Sequence, residues 1–224
     1  MKRTSYLAAA VLLCCVSAGA NAATLKLTNW TFGNGNNVKA GVPSWNGAAG
    51  GFSGTLSDAG ATFDGNVDTY CVDLIQNFSF GSPFGVTVVA AATAFDVSKA
   101  SALGKLLTHA NPLVAGAADK DAASTSLQLA IWNTIYDTDN TLGNGTFKDT
   151  SAFAALANTY LAGAAGVTSM LDLYVLQSDR KQDQLIWKDR LPPNEVPEPA
   201  SLALVAAALG GLGFSARRRK SAAT

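Results

Sequence analysis

An α+β domain with an antiparallel β-sheet or sandwich and a helical middle segment is the fold class this sequence predicts. Short apolar runs at 25–32, 70–75 and 85–90 are separated by Gly- and Asn-rich turns. Apolar residues then recur at helical spacing, and strand-like runs return at 170–176 and 184–187. Strands, helices and strands again, in that order, argue for one mixed domain rather than alternating βαβ units.

The elements follow in chain order. "GNGNN" at 33–37 and "GAAGG" at 47–51 carry turn or loop chemistry. Ser98 can cap a helix bearing Leu103, Leu106 and Leu107, which Asn111-Pro112 should end. A second helix is expected from about Ser124 to Tyr136. A third has Thr150 as its cap, Phe153, Leu156, Ala157, Tyr160 and Leu161 on one face, and Gly163 as its stop. Residues 190–199 form a Pro-rich linker.

Both ends carry targeting chemistry. Lys2 and Arg3 precede an apolar run from Tyr6 to Ala18, and Ala20-Asn21-Ala22 offers a cleavage site before Ala23. Residues 1–22 therefore have the basic, apolar and small-residue parts of a secretory signal, a substrate for signal peptidase. The run is too short to cross a roughly 30 Å hydrocarbon core. At the other end, Val196-Pro197-Glu198-Pro199 precedes an apolar stretch, and Arg217, Arg218, Arg219 and Lys220 follow it. A single hydrophobic helix over 200–216 would be at the short limit for a span, and Gly210, Gly211 and Gly213 weaken it. The basic cluster would stay cytoplasmic, leaving the body outside. The run from Val196 to Lys220, within about the last 29 residues, resembles a PEP-CTERM sorting signal, found in Gram-negative bacteria that make exopolysaccharide. The resemblance implies a transient inner-membrane anchor, recognition by an exosortase, removal of the tail, and display at the cell surface or in the extracellular matrix.

The expected layout is a signal peptide at 1–22, a secreted body at 23–189, the linker at 190–199, and the helix with its basic tail at 200–224. Roughly 175 residues remain after processing, enough for one domain with its own core. The chain has equal numbers of acidic and basic residues, but six of its Lys and Arg lie in the removed ends, so the body is acidic. Nucleic acid is thus excluded as a natural partner.

Processing also reduces three cysteines to one, Cys71. A lone cysteine in an exported body cannot form an internal disulfide, so intermolecular pairing or a reactive thiol is suggested. Gln128 is the second unusual residue. Ile131, Trp132, Ile135 and Tyr136 lie on its helical face, so its amide should point into apolar surroundings. An unpaired buried amide costs about 1–3 kcal/mol, so Gln128 needs hydrogen-bond partners or a covalent use. The plain alternative is a satisfied glutamine that holds a loop or strand.

"TYCVDL" at 69–74 and "LQLAIWNTIYD" at 127–137 together resemble the thioester domain of bacterial surface adhesins. The resemblance covers about 69–147. It implies that Cys71 is the sulfur donor and Gln128 the acyl donor of an internal thioester, open to attack by an amine on a target surface. Trp132 and Tyr136 would wall the bond from water.

Other chemistry has little support. With one histidine, His109, and one body cysteine, neither a His-rich metal site nor a Cys-rich zinc site can be built. "DTDNTLGNG" at 137–145 lacks the glycine and glutamate of a calcium loop and reads as a solvated turn. No nucleophile–base pair, phosphate loop or cofactor motif is present, so neither a conventional enzyme nor a cofactor is expected. The expected function is adhesion or matrix interaction, covalent through the thioester. The alternative is a non-covalent structural part of the exopolysaccharide matrix. Partners would be the exosortase, then polysaccharide or an amine-bearing surface.

Overall fold

The computed structural model describes residues 23–190 apart from 42–43, 62 and 138. The signal peptide, the sorting motif and the expected C-terminal helix lie outside the described residues. Among those described, no helix is long and apolar enough to cross a membrane. The chain divides into two units, Met1–Trp187 and Lys188–Thr224, and the account below concerns the first.

The order is β1 (Ala23–Trp30), β2 (Asn36–Ala40), β3 (Trp45–Ala49), β4 (Phe52–Ser57), β5 (Gly65–Cys71), β6 (Phe84–Ala90), α1 (Ala91–Ala94), α2 (Val97–Gly116), α3 (Lys120–Tyr136), α4 (Ala154–Ala164), β7 (Leu171–Gln177) and β8 (Gln184–Asp189). The mixed class and the antiparallel pairing match expectation. The sandwich does not: six strands close into a barrel in the order β1-β4-β5-β8-β7-β6, with β2 and β3 as a separate two-stranded sheet. β1 closes the ring because it pairs antiparallel with both β4 and β6. Its alternate residues Ala23, Leu25 and Leu27 are completely buried, as a strand with one face on a core requires.

The helices depart from the predicted boundaries for physical reasons. Asp96, not Ser98, caps α2, its carboxylate accepting from Lys99 N–H at 2.8 Å. α2 also runs through Pro112 instead of ending there. An interior proline costs about 3 kcal/mol. Pro112 sits on the exposed face, and the buried stripe Leu103, Leu106, Leu107, Ala110 and Val114 offsets that cost. α4 starts at Ala154 with no side-chain cap, so Thr150 does not cap it, and it continues past Gly163 to Ala164. Gly163 is there for contact. A Cβ on it would lie 2.1 Å from His109 Nε2 on α2, so a larger residue there would have to push that ring aside.

α3 positions the site. Residues 123–135 are buried on every side, so it is the central helix of the domain rather than an amphipathic one. Asp119 caps it, accepting from Ala122 N–H at 3.0 Å. Asp121, in its first turn, is held by the turn at 33–35, where Asn34 and Gly35 N–H groups donate to its two oxygens at 3.2 and 3.0 Å, while Asn36 and Asn37, expected in that turn, already belong to β2. Gly33 and Gly35 have φ of 60° and 69°, which aims successive amides at one anion. Residues 47–49 are strand, not loop, and Ala49 O accepts from Thr125 Oγ1 of α3 at 2.8 Å.

Candidate functional site

β4 pairs β5 as far as Phe52 opposite Thr69. Cys71 lies two residues further on, where β5 presents its peptide groups to the same side again. No strand residue of β4 meets it. Gln128 fills the gap: Cys71 N–H donates to Gln128 Oε1 at 2.9 Å, and Gln128 Nε2 donates to Cys71 O at 2.7 Å. The carboxamide therefore takes the place of the next peptide in the ladder. Both residues are sealed, at 1% and 0% exposure.

The thiol is held too. Cys71 Sγ donates to Asp73 O at 2.8 Å, and the same carbonyl accepts from Gln182 Nε2 at 2.8 Å. Burial pushes the Cys71 thiol well above its ordinary range, with the Asp73 carbonyl and then the Trp132 indole opposing that shift. Trp132 Nε1 is buried and lacks a hydrogen bond of normal geometry among the described residues. The indole thus acts on the sulfur by proximity rather than through a formed bond. Asp183 is also raised, by burial first and then by the charges of Asp73 and Asp179, while the Ser178 N–H it accepts from opposes the rise. The sulfur sits as a neutral thiol in dry surroundings.

Trp132 and Tyr136 belong to an aromatic cluster near Cys71. The Trp132 ring meets Trp45 at 5.0 Å and Phe147 at 6.1 Å between centroids. Tyr136 stacks on Phe147 at 6.3 Å, and its hydroxyl accepts from Leu74 N–H at 3.3 Å while facing Val72 O at 3.5 Å. Burial raises the Tyr136 phenol, so it remains a neutral donor. Phe147 reaches this wall because Asp137, just past α3, accepts from the backbone amides of Thr146 and Phe147 and folds the intervening loop back. Sequence reading missed Asp73, Gln182, Trp45 and Phe147. Only Asp73, two residues after the cysteine, left any signal.

The pattern of the PEP-CTERM protein-sorting motif matches residues 195–220. The chain is an exosortase-processed, exported protein, transiently anchored in the membrane. No curated protein and no solved structure matches the chain.

Proposed function

We propose that this exported, exosortase-processed protein is an adhesion or matrix module. It acts at the surface or in the extracellular matrix of a Gram-negative bacterium, binding a partner rather than turning over a substrate. Its binding is covalent, through an internal thioester between Cys71 and Gln128 that captures an amine on a matrix or surface target. The observation that carries this reading is the meeting of two reactive-type residues, 57 positions apart, with both fully buried.

Each step balances. The Cys71 sulfur attacks the Gln128 side-chain carbonyl carbon, forming a C–S bond and breaking the bond to Nε2. Nitrogen leaves as ammonia, taking the thiol proton. The Cys71 N–H already donates to Oε1, the atom on which charge develops, so it stands as an oxyanion donor. The amine of the target later attacks the same carbon, an amide forms, and its proton restores the thiol. Exclusion of water by the Trp132 and Tyr136 rings protects the acyl group until then.

A second reading is favoured by a specific observation. The Gln128 amide already replaces a missing peptide of β4, satisfying both polar groups of Cys71. Under it, the pair is a non-covalent clasp in a structural component of the exopolysaccharide matrix. Intact mass of the processed protein separates the two. A thioester gives a mass one ammonia below that of the sequence. Methylamine then adds to Gln128 and frees one titratable thiol, and Cys71→Ala shows neither change. A full mass with no methylamine uptake leaves the clasp.

A further inference from the structure

On the opposite side of β5 from the Cys71 side chain lies a second candidate site. Asp68 and Tyr70 share one face of the strand, and Trp187, two residues beyond the Leu185 that pairs with Tyr70, lies on that face of β8. Together with Thr31, Phe32 and Asn111 they line an open cleft of about 210 Å³. The cleft is smaller than the roughly 300–1,000 Å³ pockets of drug-sized ligands, so it suits a single small ring.

Its chemistry is mixed in a particular way. The Tyr70 and Trp187 rings lie nearly parallel, 23° apart with centroids at 6.0 Å, and Trp187 is partly exposed. The Tyr70 hydroxyl faces Ser124 Oγ at 3.4 Å, away from solvent, which leaves the apolar ring to the cleft. Asp68 Oδ1 accepts from Ser53 Oγ at 2.6 Å, with Thr31 Oγ1 at 3.5 Å. Among the described residues, Asp68 Oδ2 and the Asn111 amide have no partner. A planar carboxylate acceptor and an amide that both donates and accepts therefore converge beside aromatic faces.

A ring that is apolar on one face and ringed by hydroxyl groups answers each of these features. Three other ligand classes do not. An anion would meet Asp68 on an acidic body. A lipid chain would leave Asp68 and Asn111 unpaired. A quaternary ammonium ion would use the aromatic faces and the carboxylate, but Lys120 Nζ already sits 5.6 Å from the Phe32 ring centroid and would repel it.

We infer that the Phe32–Tyr70–Trp187 cleft binds one neutral pyranose unit of a polysaccharide, stacked on Trp187 and hydrogen-bonded to Asp68 and Asn111. The site stands apart from the thioester. It anchors a glycan without covalent change and brings that glycan near the strand that carries Cys71.

Titration calorimetry on the processed, exported protein tests this with neutral trisaccharides of glucose, galactose, mannose and N-acetylglucosamine, and with choline. At least one trisaccharide should bind saturably. Trp187→Ala should weaken it at least about tenfold, as loss of a central aromatic contact does. Trp187→Phe, which keeps an aromatic face, should retain part of the affinity. Asn111→Leu, on the helix opposite and outside the barrel, should also abolish the heat while leaving the melting transition in place. Cys71→Ala should bind as the wild type does, so the cleft and the thioester stand or fall separately. Absence of binding to every trisaccharide overturns the inference, and so does sugar binding indifferent to both Trp187→Ala and Asn111→Leu. Saturable choline binding in place of sugar overturns it in favour of a cation site.

Discussion

At Cys71 the thiol, the N–H and the C=O all have protein partners and exposure is 1%. One residue earlier, Tyr70 turns its ring to a cleft whose polar groups are only half used and whose far wall, Trp187, meets solvent. Successive residues of one strand thus serve a closed junction and an open one. The difference teaches what each can do. A satisfied, dry junction can store a state, whether a packed clasp or an acyl bond, because bulk water is kept from it. An unsatisfied, wet cleft can only exchange ligands, because its unused hydrogen-bonding capacity lies within reach of solvent.

The strongest way to break this contrast is Gln128→Met. The substitution keeps length and burial but strands Cys71 N–H and C=O without partners. Each lost partner costs about 1–3 kcal/mol, so denaturant unfolding should show a loss of about 2–5 kcal/mol. A loss below about 1 kcal/mol would mean that water or a neighbour reaches these groups and that the junction is not closed.

Alkaline pH sharpens the comparison. The thiol proton of Cys71 is held more tightly folded than unfolded. Its contribution is therefore complete below the ordinary thiol value of about 8.5 and falls above it, by up to about 1.4 kcal/mol per pH unit. The phenol of Tyr70 is raised in the same sense by burial, so the slope steepens above about 10. Chemical denaturation across this range should show both breaks. Cys71→Ala should remove the first and leave the second. A thioester does the same, since an acylated sulfur carries no proton.

The smallest expected effect comes from the open side. Asp68 is exposed and, among the described residues, bonded only to Thr31 and Ser53, so Asp68→Asn should shift stability by no more than about 0.5 kcal/mol. Thermal melting of the two proteins side by side checks it. A shift of several degrees would make Asp68 part of the fold's support rather than a group held ready for a ligand.

The two regions were unequally legible in the sequence. The closed junction could be approached from residue types, because a single body cysteine and a glutamine on an apolar helical face are rare enough to draw notice. That Gln128 would complete a ladder could not be read, since it depends on where β4 stops opposite β5. The open cleft left no local trace. Its residues come from the ends of β1, β5, α2 and β8, and only closure of the barrel brings them together. Helix boundaries slipped for a similar reason. Pro112 looks like a stop until the buried stripe that outweighs it is seen. Gly163 looks like a stop until the neighbouring His109 ring is seen to occupy the space a side chain would need. Residues 47–49 failed on composition, because Gly and Ala form strand where α3 lies close against them, while Gly50 and Gly51 connect β3 to β4 as expected.

Barrel closure also sets an order of assembly. β5 and β8 meet through Tyr70 and Leu185, and β8 is the last strand among the described residues. Contacts this distant in sequence pay the largest loop-closure cost and form late. The Cys71–Gln128 contact spans 57 positions and needs only β5 and α3, so it can form while the ring is still open. A chain that stops short of β8 would leave β5 and β7 as bare edges, ready to pair with another copy. Within an exporting cell, the interval between the arrival of α3 and the arrival of β8 is therefore the interval in which this protein is most exposed to its own kind.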